Sequence, residues 1–400
     1  MQVQQCNLNK RTKTKTMKTL YLRSRSPWAL AVCLATLGLG LSATADPPRR
    51  TFVTSTPQAP PQVQYMLIDL GGRRANDISQ SGQIVGNKEF APPIQDHRAA
   101  FWPSSGSAPI DLGSLPGLGS VVESINPRRE MVGYAFNDDS SIELPLFWAG
   151  TSTAPVELSG LPAGFLSEVY GINPSGQIVG QFFSADFSVE QAVFWPDSNA
   201  ASVNLPQLSG EFPHGAAQSI NASGKIFGDA CDADFVECHA VLWATSKSTP
   251  VALASPGGEF IYTDFTLPGH SINGPGNMVG YAHNADFSAE RAVFWANSSS
   301  PAVILSTVGE FTNAVAASIS DNGQIVGIGY NEDFSRTRPF LWPSATSQGI
   351  DLSTFFPAGS NWDLDSVFTT AVNNRGEIIG SGLFNDGTVH NFVLIPVHGH

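Results

Sequence analysis

From residue 65 onward the sequence predicts an all-β fold: a seven-bladed β-propeller of four-stranded blades, closed by an N-terminal strand that completes the last blade. Three observations predict it. One motif recurs seven times, each copy holds four short strand patterns, and the last copy lacks its fourth strand while a spare one stands ahead of the first.

The motif is I-N-x-x-G-Q-I-V-G. It runs as DISQSGQIVG from Asp77, SINPRREMVG from Ser124, GINPSGQIVG from Gly171 and SINASGKIFG from Ser219. It returns as SINGPGNMVG from Ser271, SISDNGQIVG from Ser318 and AVNNRGEIIG from Ala371. The closing glycines, from Gly86 to Gly380, stand 47, 47, 48, 52, 47 and 53 residues apart. A period of this length marks a propeller, a solenoid or an array. In the fourth unit the strand patterns are AAQSIN, KIFGDAC, CHAVLW and PVALA, which alternate apolar with small or polar residues. Segments such as NPSG, NASG and SDNG join the first two strands. There Asn or Ser can bond the backbone across the turn, and the following Gly takes a positive φ at little steric cost. Trp102, Trp148, Trp195, Trp243, Trp295 and Trp342 close the third strands. At that rhythm the indoles are expected to pack between neighbouring sheets rather than to bind sugar.

Four strands at this period fit a propeller blade. The chain ends give a separate reason for a closed ring. The seventh unit stops after NFVLIPV and lacks the I-D-L strand found at Ile110–Leu112 and Ile350–Leu352. That strand stands at the other end as MLIDLGG, Met66–Gly72. Pairing it with the last unit removes two exposed sheet edges, which an open solenoid would have no reason to do.

Residues 1–45 read as a secretory signal peptide: a leader with Lys10, Arg11, Lys13, Lys15, Lys18, Arg23 and Arg25 precedes the apolar run PWALAVCLATLGLGLSA and the exit Ala43-Thr44-Ala45. The run is short for a bilayer span, so an uncleaved anchor is the alternative. Cys33 follows Val32, where a lipoprotein signal needs a small residue. Translation starts at Met1 or at Met17, since the segment from Met17 is itself a sufficient leader. Residues 46–64, rich in Pro, Thr and Gln, read as an extended linker, and 65–397 hold the repeats.

The leader takes seven of the 21 basic residues, leaving 14 against 34 acidic ones, a net charge of −20. Such a surface repels nucleic acid and anionic membranes. No further stretch is long enough to span a bilayer once the signal is removed. The expected location is extracellular or periplasmic, and the expected state a monomer.

The motif, followed by an aliphatic-Phe-Trp strand and by D-L-G, resembles the HAF repeat of secreted bacterial proteins, from Tyr65 to Val397. The namesake His-Ala-Phe is closest at His239-Ala240-Val241 and elsewhere reads RAAF, QAVF or RAVF. The resemblance implies an extracellular repeat protein and carries no catalytic residues with it.

Candidate ligand-binding residues are those that differ while their neighbours repeat. Just before the S-I-N triplet, where the innermost strand is expected to open at the channel mouth, stand Asn76, Glu123, Tyr170, Gln218, His270, Ala317 and Thr370. Seven unlike side chains around a mouth suit an asymmetric ligand; tolerance of variation would give the same pattern. On the loop face, hairpin tips carry Asp186, Asp234, Asp286 and Asp333, and incoming loops carry Glu211, Glu259 and Glu310, each followed by Phe. Gathered carboxylates could bind Ca²⁺, the one cofactor the sequence offers, though no loop has the dense D-x-D-x-D-G spacing. The plainer reading is that Asp caps a turn and Glu solubilises a surface. Two incoming loops are longer, 255–269 and 355–365. The second places Trp362 beside Asp363 and Asp365, a pair that could be read as glycosidase carboxylates. His214, His270 and His283 share this face without metal-ligand spacing. Cys231 and Cys238 flank the fourth hairpin tip and are expected to form a disulfide. These features predict a secreted, non-enzymatic binding or interaction module for an unknown extracellular ligand, glycan or protein. An extracellular carbohydrate-active hydrolase or lyase is the alternative, and a purely structural surface or matrix protein a third.

Overall fold

A computed structural model describes residues 64–72, 74–88, 97–264 and 270–397. The expected signal peptide, and the linker apart from Gln64, lie outside the described residues. The described chain forms seven four-stranded antiparallel sheets. Six follow chain order. In the seventh the sheet order is Gln64–Gly71, Val389–Val397, Ile378–Leu383, Phe368–Val372, so the N-terminal strand finishes the last blade as expected.

In the first six blades the innermost strand is followed by two long strands and an outer one of two residues, for example Leu166–Ile172, Ile178–Phe183, Glu190–Trp195 and Val203–Asn204 in blade 3. The core lies between blades, not within them. Val85, Ala99, Phe101 and Leu112 of blade 1 pack with Val122, Ile125, Met131, Leu146 and Trp148 of blade 2, and the pattern recurs around the ring. Sheets buried on both faces require apolar residues at nearly every strand position, which explains the sparse charge of the repeats.

Three repeated residues do the joining. The Asn closing the innermost strand caps its own turn and also reaches the next blade. Asn173 Oδ1 accepts from the backbone N–H of Ser175 and Gln177, both at 3.0 Å, while Nδ2 donates to the carbonyl of Asn221 at 3.1 Å. Asn126, Asn221, Asn273 and Asn373 donate likewise to Asn173, Asn273, Ser320 and Ser79, the last across the chain ends. Each Trp is buried, and its indole N–H donates to a carbonyl at the outer end of the preceding blade: Leu70, Leu112, Ser159, Pro206, Ala254 and Ser306. The bond from Trp102 to Leu70 holds the closing strand.

The third repeated residue is the motif's last glycine. In six blades the pairing of the first two strands slips by one residue, a β-bulge. The slip lays a carbonyl of the innermost strand over the glycine. A Cβ on Gly180 would lie 2.2 Å from the Glu168 oxygen, and one on Gly133 2.0 Å from that of Val121. Only glycine tolerates that approach.

Two expectations need correcting. The residue before S-I-N does not open the innermost strand; it is the bulged residue within it, as Glu123 is in Gly119–Ile125 and Tyr170 in Leu166–Ile172. Small residues such as Gly119, Ser120 and Ser167 hide the strand's true start in the sequence. The long segment 255–269 is not only an incoming loop. Tyr262–Asp264 is the first half of blade 5's innermost strand, paired with Tyr281–His283. Six residues then separate Asp264 from Ser271, where blade 4 has two between the equivalent Ala216 and Ser219.

Candidate functional site

Six of the seven singled-out positions lie on innermost strands, and His270 lies outside the strand of blade 5, just before Ser271. Two serve the ring itself. Thr370 Oγ1 donates to the Ala75 carbonyl at 2.7 Å, and Asn76 Nδ2 to the Val122 carbonyl at 2.7 Å. Ala75 and Val122 each precede a bulged residue, so these bulged side chains lean onto the innermost strand of the next blade. Ala317 is buried and offers no polar group. Glu123, Tyr170 and Gln218 are buried as well. His270 stands apart: its ring is 35% exposed, and Nε2 lies 2.7 Å from Oδ1 of the fully buried Asp77. This contact joins blade 5 to blade 1 rather than to a sequential neighbour. Asp77 Oδ2 meanwhile accepts from Ser124 Oγ and the Ile125 N–H of blade 2. Burial of the imidazole disfavours its charged form, but the charge and hydrogen bond of Asp77, with help from Asp321, outweigh burial and raise its pKa.

Around Glu123 lies a set of polar residues that sequence reasoning missed. Glu143 opens the third strand of blade 2, and Tyr134 sits on its second strand. Glu168 lies opposite Gln181 in blade 3. Tyr170 donates its phenol to Glu168 Oε2, and Gln181 Nε2 donates to the same oxygen at 3.1 Å and to the Tyr170 oxygen at 2.8 Å. All of these side chains are buried. Loss of hydration pushes the Glu123 carboxyl up to about 7 against the opposing charge of Arg74, with Asp77 raising it further. The same burial lifts Glu168 to about 7 despite its two hydrogen bonds, and Glu143 to about 9 with repulsion from Glu168. Glu123 Oε1, Glu143 Oε2, Tyr134 Oη and Gln181 Oε1 have no hydrogen-bond partner, nor do Asn76 Oδ1 and Gln218 Oε1. Buried polar atoms are nearly always bonded, so this concentration beside the channel is unusual.

The loop face resolves differently. Asp186 Oδ1 accepts from Ser188 N–H at 3.0 Å and from the hydroxyls of Ser184 and Ser188, which lower its pKa to about 2. Asp286 and Asp333 cap their turns through Ser288 and Ser335. In blade 4 the bond from Val236 goes to Asp232 in place of Asp234. The Phe after each tip Asp takes a positive φ, 54° to 58°. It offsets that strain by lying against Phe183, His214, His283 or Tyr330. Glu211 and Glu259 are exposed, whereas Glu310 pairs with Arg336 at 2.8 Å. Phe260 and Phe311 are buried beneath Arg291 and Arg338.

Trp362 is not an open platform. It is 6% exposed, edge-on to Phe356, Phe384 and Phe392. Asp363 caps a short 3₁₀ turn through the Asp365 N–H, and Asp365 is bound by Arg336 and Arg338. His214 and His283 are buried in aromatic stacks, with burial lowering the pKa of His283. Among the described residues no group of three or more His, Cys, Asp or Glu is placed to hold a metal ion. Cys231 and Cys238 face each other in register and form the expected disulfide.

No protein-family model matches the chain, and no curated protein is similar to it in sequence. Solved structures do resemble it. The β-propeller domain of the Trilobed protease from Pyrococcus furiosus, which has an open velcro topology, aligns at TM-score 0.50 and 10% identity over 81% of this chain and 94% of that one. The polysaccharide lyase Uly1 aligns at TM-score 0.50 and 8% identity over 84% and 100%. YCF48 from Cyanidioschyzon merolae aligns at 0.48 and 9% over 82% and 98%. Likeness at these identities concerns the fold alone. The chain is a seven-bladed β-propeller with a closed last blade, a fold that suits binding and hydrolytic roles alike.

Proposed function

We propose that this protein is a secreted binding module of the HAF-repeat type, without catalytic activity, whose ligand engages the channel wall at the bulged residues. One observation carries the reading. The same bulge recurs in six blades, yet Asn76, Glu123, Tyr170, Gln218, Ala317 and Thr370 differ at it, and Asn76, Glu123 and Gln218 each keep a buried oxygen without a partner. A scaffold that repeats its joints while varying one inward position suits recognition of a ligand without seven-fold symmetry. The loop-face pair supports catalysis less well, since Asp365 is held by two arginines and Trp362 is buried. An extracellular or periplasmic location fits the disulfide, because such bonds persist in oxidising compartments. No helix among the described residues is long and apolar enough to cross a membrane.

The test is to screen the purified protein on glycan arrays and against extracellular protein extracts, with and without Ca²⁺. Any ligand found is then measured against Tyr170→Ala and His270→Ala. The reading expects at least a tenfold loss in one of them. Unchanged binding by both variants refutes it, and turnover of a glycan by the wild-type chain returns the enzyme reading.

A further inference from the structure

We propose that the buried polar cluster between blades 2 and 3 is a binding site for a primary ammonium group, on a small amine or on a lysine side chain. This rests on the channel-binding reading above and names the chemistry of the ligand. Glu123 belongs to the ring of bulged residues. By analogy with Asn76 and Thr370, which lean onto the next blade's innermost strand, it is directed toward blade 3, where Glu168 and Tyr170 lie. The innermost strand of blade 3, Leu166–Ile172, packs against the three strands of blade 2 that carry Glu123, Tyr134 and Glu143. Tyr134 is 1% exposed and its hydroxyl has no partner.

The composition of the cluster selects the ligand. Four oxygens of the cluster, on carboxyl, amide and phenol groups, are left without a partner: Glu123 Oε1, Glu143 Oε2, Gln181 Oε1 and Tyr134 Oη. Acceptors in excess require donors. The guanidinium of Arg74 is the cation that acts on this cluster, against the carboxyls of Glu123, Glu143 and Glu168 and those of Asp77 and Glu190 beside them, so charge as well as hydrogen bonding is short on the positive side. A metal ion is the weaker match, because no group of potential ligands is arranged to coordinate one among the described residues. A primary ammonium brings three donors and a positive charge, and the rings of Tyr134 and Tyr170 add faces that attract cations. Burial first, and repulsion from neighbouring carboxyls second, raises the pKa of all three carboxyls, so without a cation they tend to hold protons. Binding an ammonium group releases protons, and affinity rises with pH.

The test uses the full chain, with n-butylammonium as the probe. n-Butanol serves as the neutral isostere, tetramethylammonium as a cation without donors, and acetyl-Gly-Lys-Gly-amide as the lysine side-chain source. Calorimetry in phosphate and in HEPES reads affinity and proton release. We expect n-butylammonium to bind at least tenfold tighter than either control. Its affinity should rise severalfold between pH 6 and pH 7, with protons released. The double variant Glu123→Gln/Glu168→Gln should lose at least tenfold, and Tyr134→Phe, which keeps the ring's packing, severalfold with an unchanged melting temperature. Binding of the tripeptide assigns a lysine side chain as the natural ligand group; binding of n-butylammonium without it assigns a small amine. Equal binding of n-butanol overturns the proposal. So does wild-type affinity in both the double variant, folded by circular dichroism, and Tyr134→Phe. A glycan ligand that depends on Tyr170, with no n-butylammonium binding, removes this inference and leaves the channel reading in place.

Discussion

Replacing Asn173 separates the two tasks of the repeated asparagine, capping a turn and bridging two blades. Its Oδ1 accepts from the N–H groups of Ser175 and Gln177, and its Nδ2 donates to the Asn221 carbonyl and to Gln177 Oε1. Asn173→Asp keeps both acceptor bonds but turns a carboxylate oxygen toward a carbonyl oxygen. Asn173→Ser mimics blades 1 and 6, where Ser79 and Ser320 cap the turn through a hydroxyl, at 3.0 and 3.2 Å, and send no amide to the next blade. Asn173→Ala loses everything. At about 1 kcal/mol net per hydrogen bond, more where a buried group is left unpaired, Ser costs about 1–2 kcal/mol, and Asp and Ala about 3. Unfolding entropy near 2 cal/mol/K per residue makes 1 kcal/mol worth roughly 1.5 °C in a ring of this size. The expected melting temperatures therefore fall by about 2 °C for Ser and 4–5 °C for Asp and Ala, read by differential scanning calorimetry. The Asp variant decides the matter: if it melts with the wild type, the residue acts only as a turn cap and the bridge contributes nothing.

Three further outcomes are expected. The Glu123 carboxyl is raised from 4.5 to about 7, so the folded state keeps a proton that the unfolded chain releases, and stability falls as pH rises from about 4.5 through 7. Urea melts should show Glu123→Gln within about 1 kcal/mol of wild type at pH 5 but up to about 3 kcal/mol more stable at pH 8; parallel curves would remove the buried-carboxyl account. Replacing Cys231 and Cys238 by Ala opens a short loop, which chain entropy values at about 2.5 kcal/mol, and reduced wild type should melt with the variant. Gly180→Ala forces a methyl group to within 2.2 Å of the Glu168 oxygen, so a loss above about 4 kcal/mol, or failure to accumulate folded protein, is expected; a near-neutral effect in urea melts would contradict the bulge geometry.

The ring was legible because its joints repeat. Trp102 through Trp342, the turn asparagines and the glycines of the motif each meet the same neighbour in successive blades, so one physical requirement is written several times. The polar cluster is written once. Glu168 occupies a place held by Val121, Ala216 and Val315 in other blades, and a single Glu among variable positions carries no signal of what it faces. Its neighbours Tyr134 and Glu143 stand more than twenty residues away and meet it only after two sheets pack. Spacing also counts residues without placing them: the long segment 255–269 reads as an incoming loop, and only the pairing of Tyr262–Asp264 shows that part of it is strand. The hairpin-tip aspartates were the reverse case, since Asp followed by Phe-Ser at a turn is bound to its own backbone whatever else the face does.

The seam of the ring joins the first described strand to the last, Gln64–Gly71 to Val389–Val397. Six blades are contiguous in the chain, whereas the seventh waits for two distant segments to meet. Opening of blade 7 would uncover the edge of Val389–Val397 that Gln64–Gly71 pairs with, an unpaired strand edge of the kind that templates association between chains.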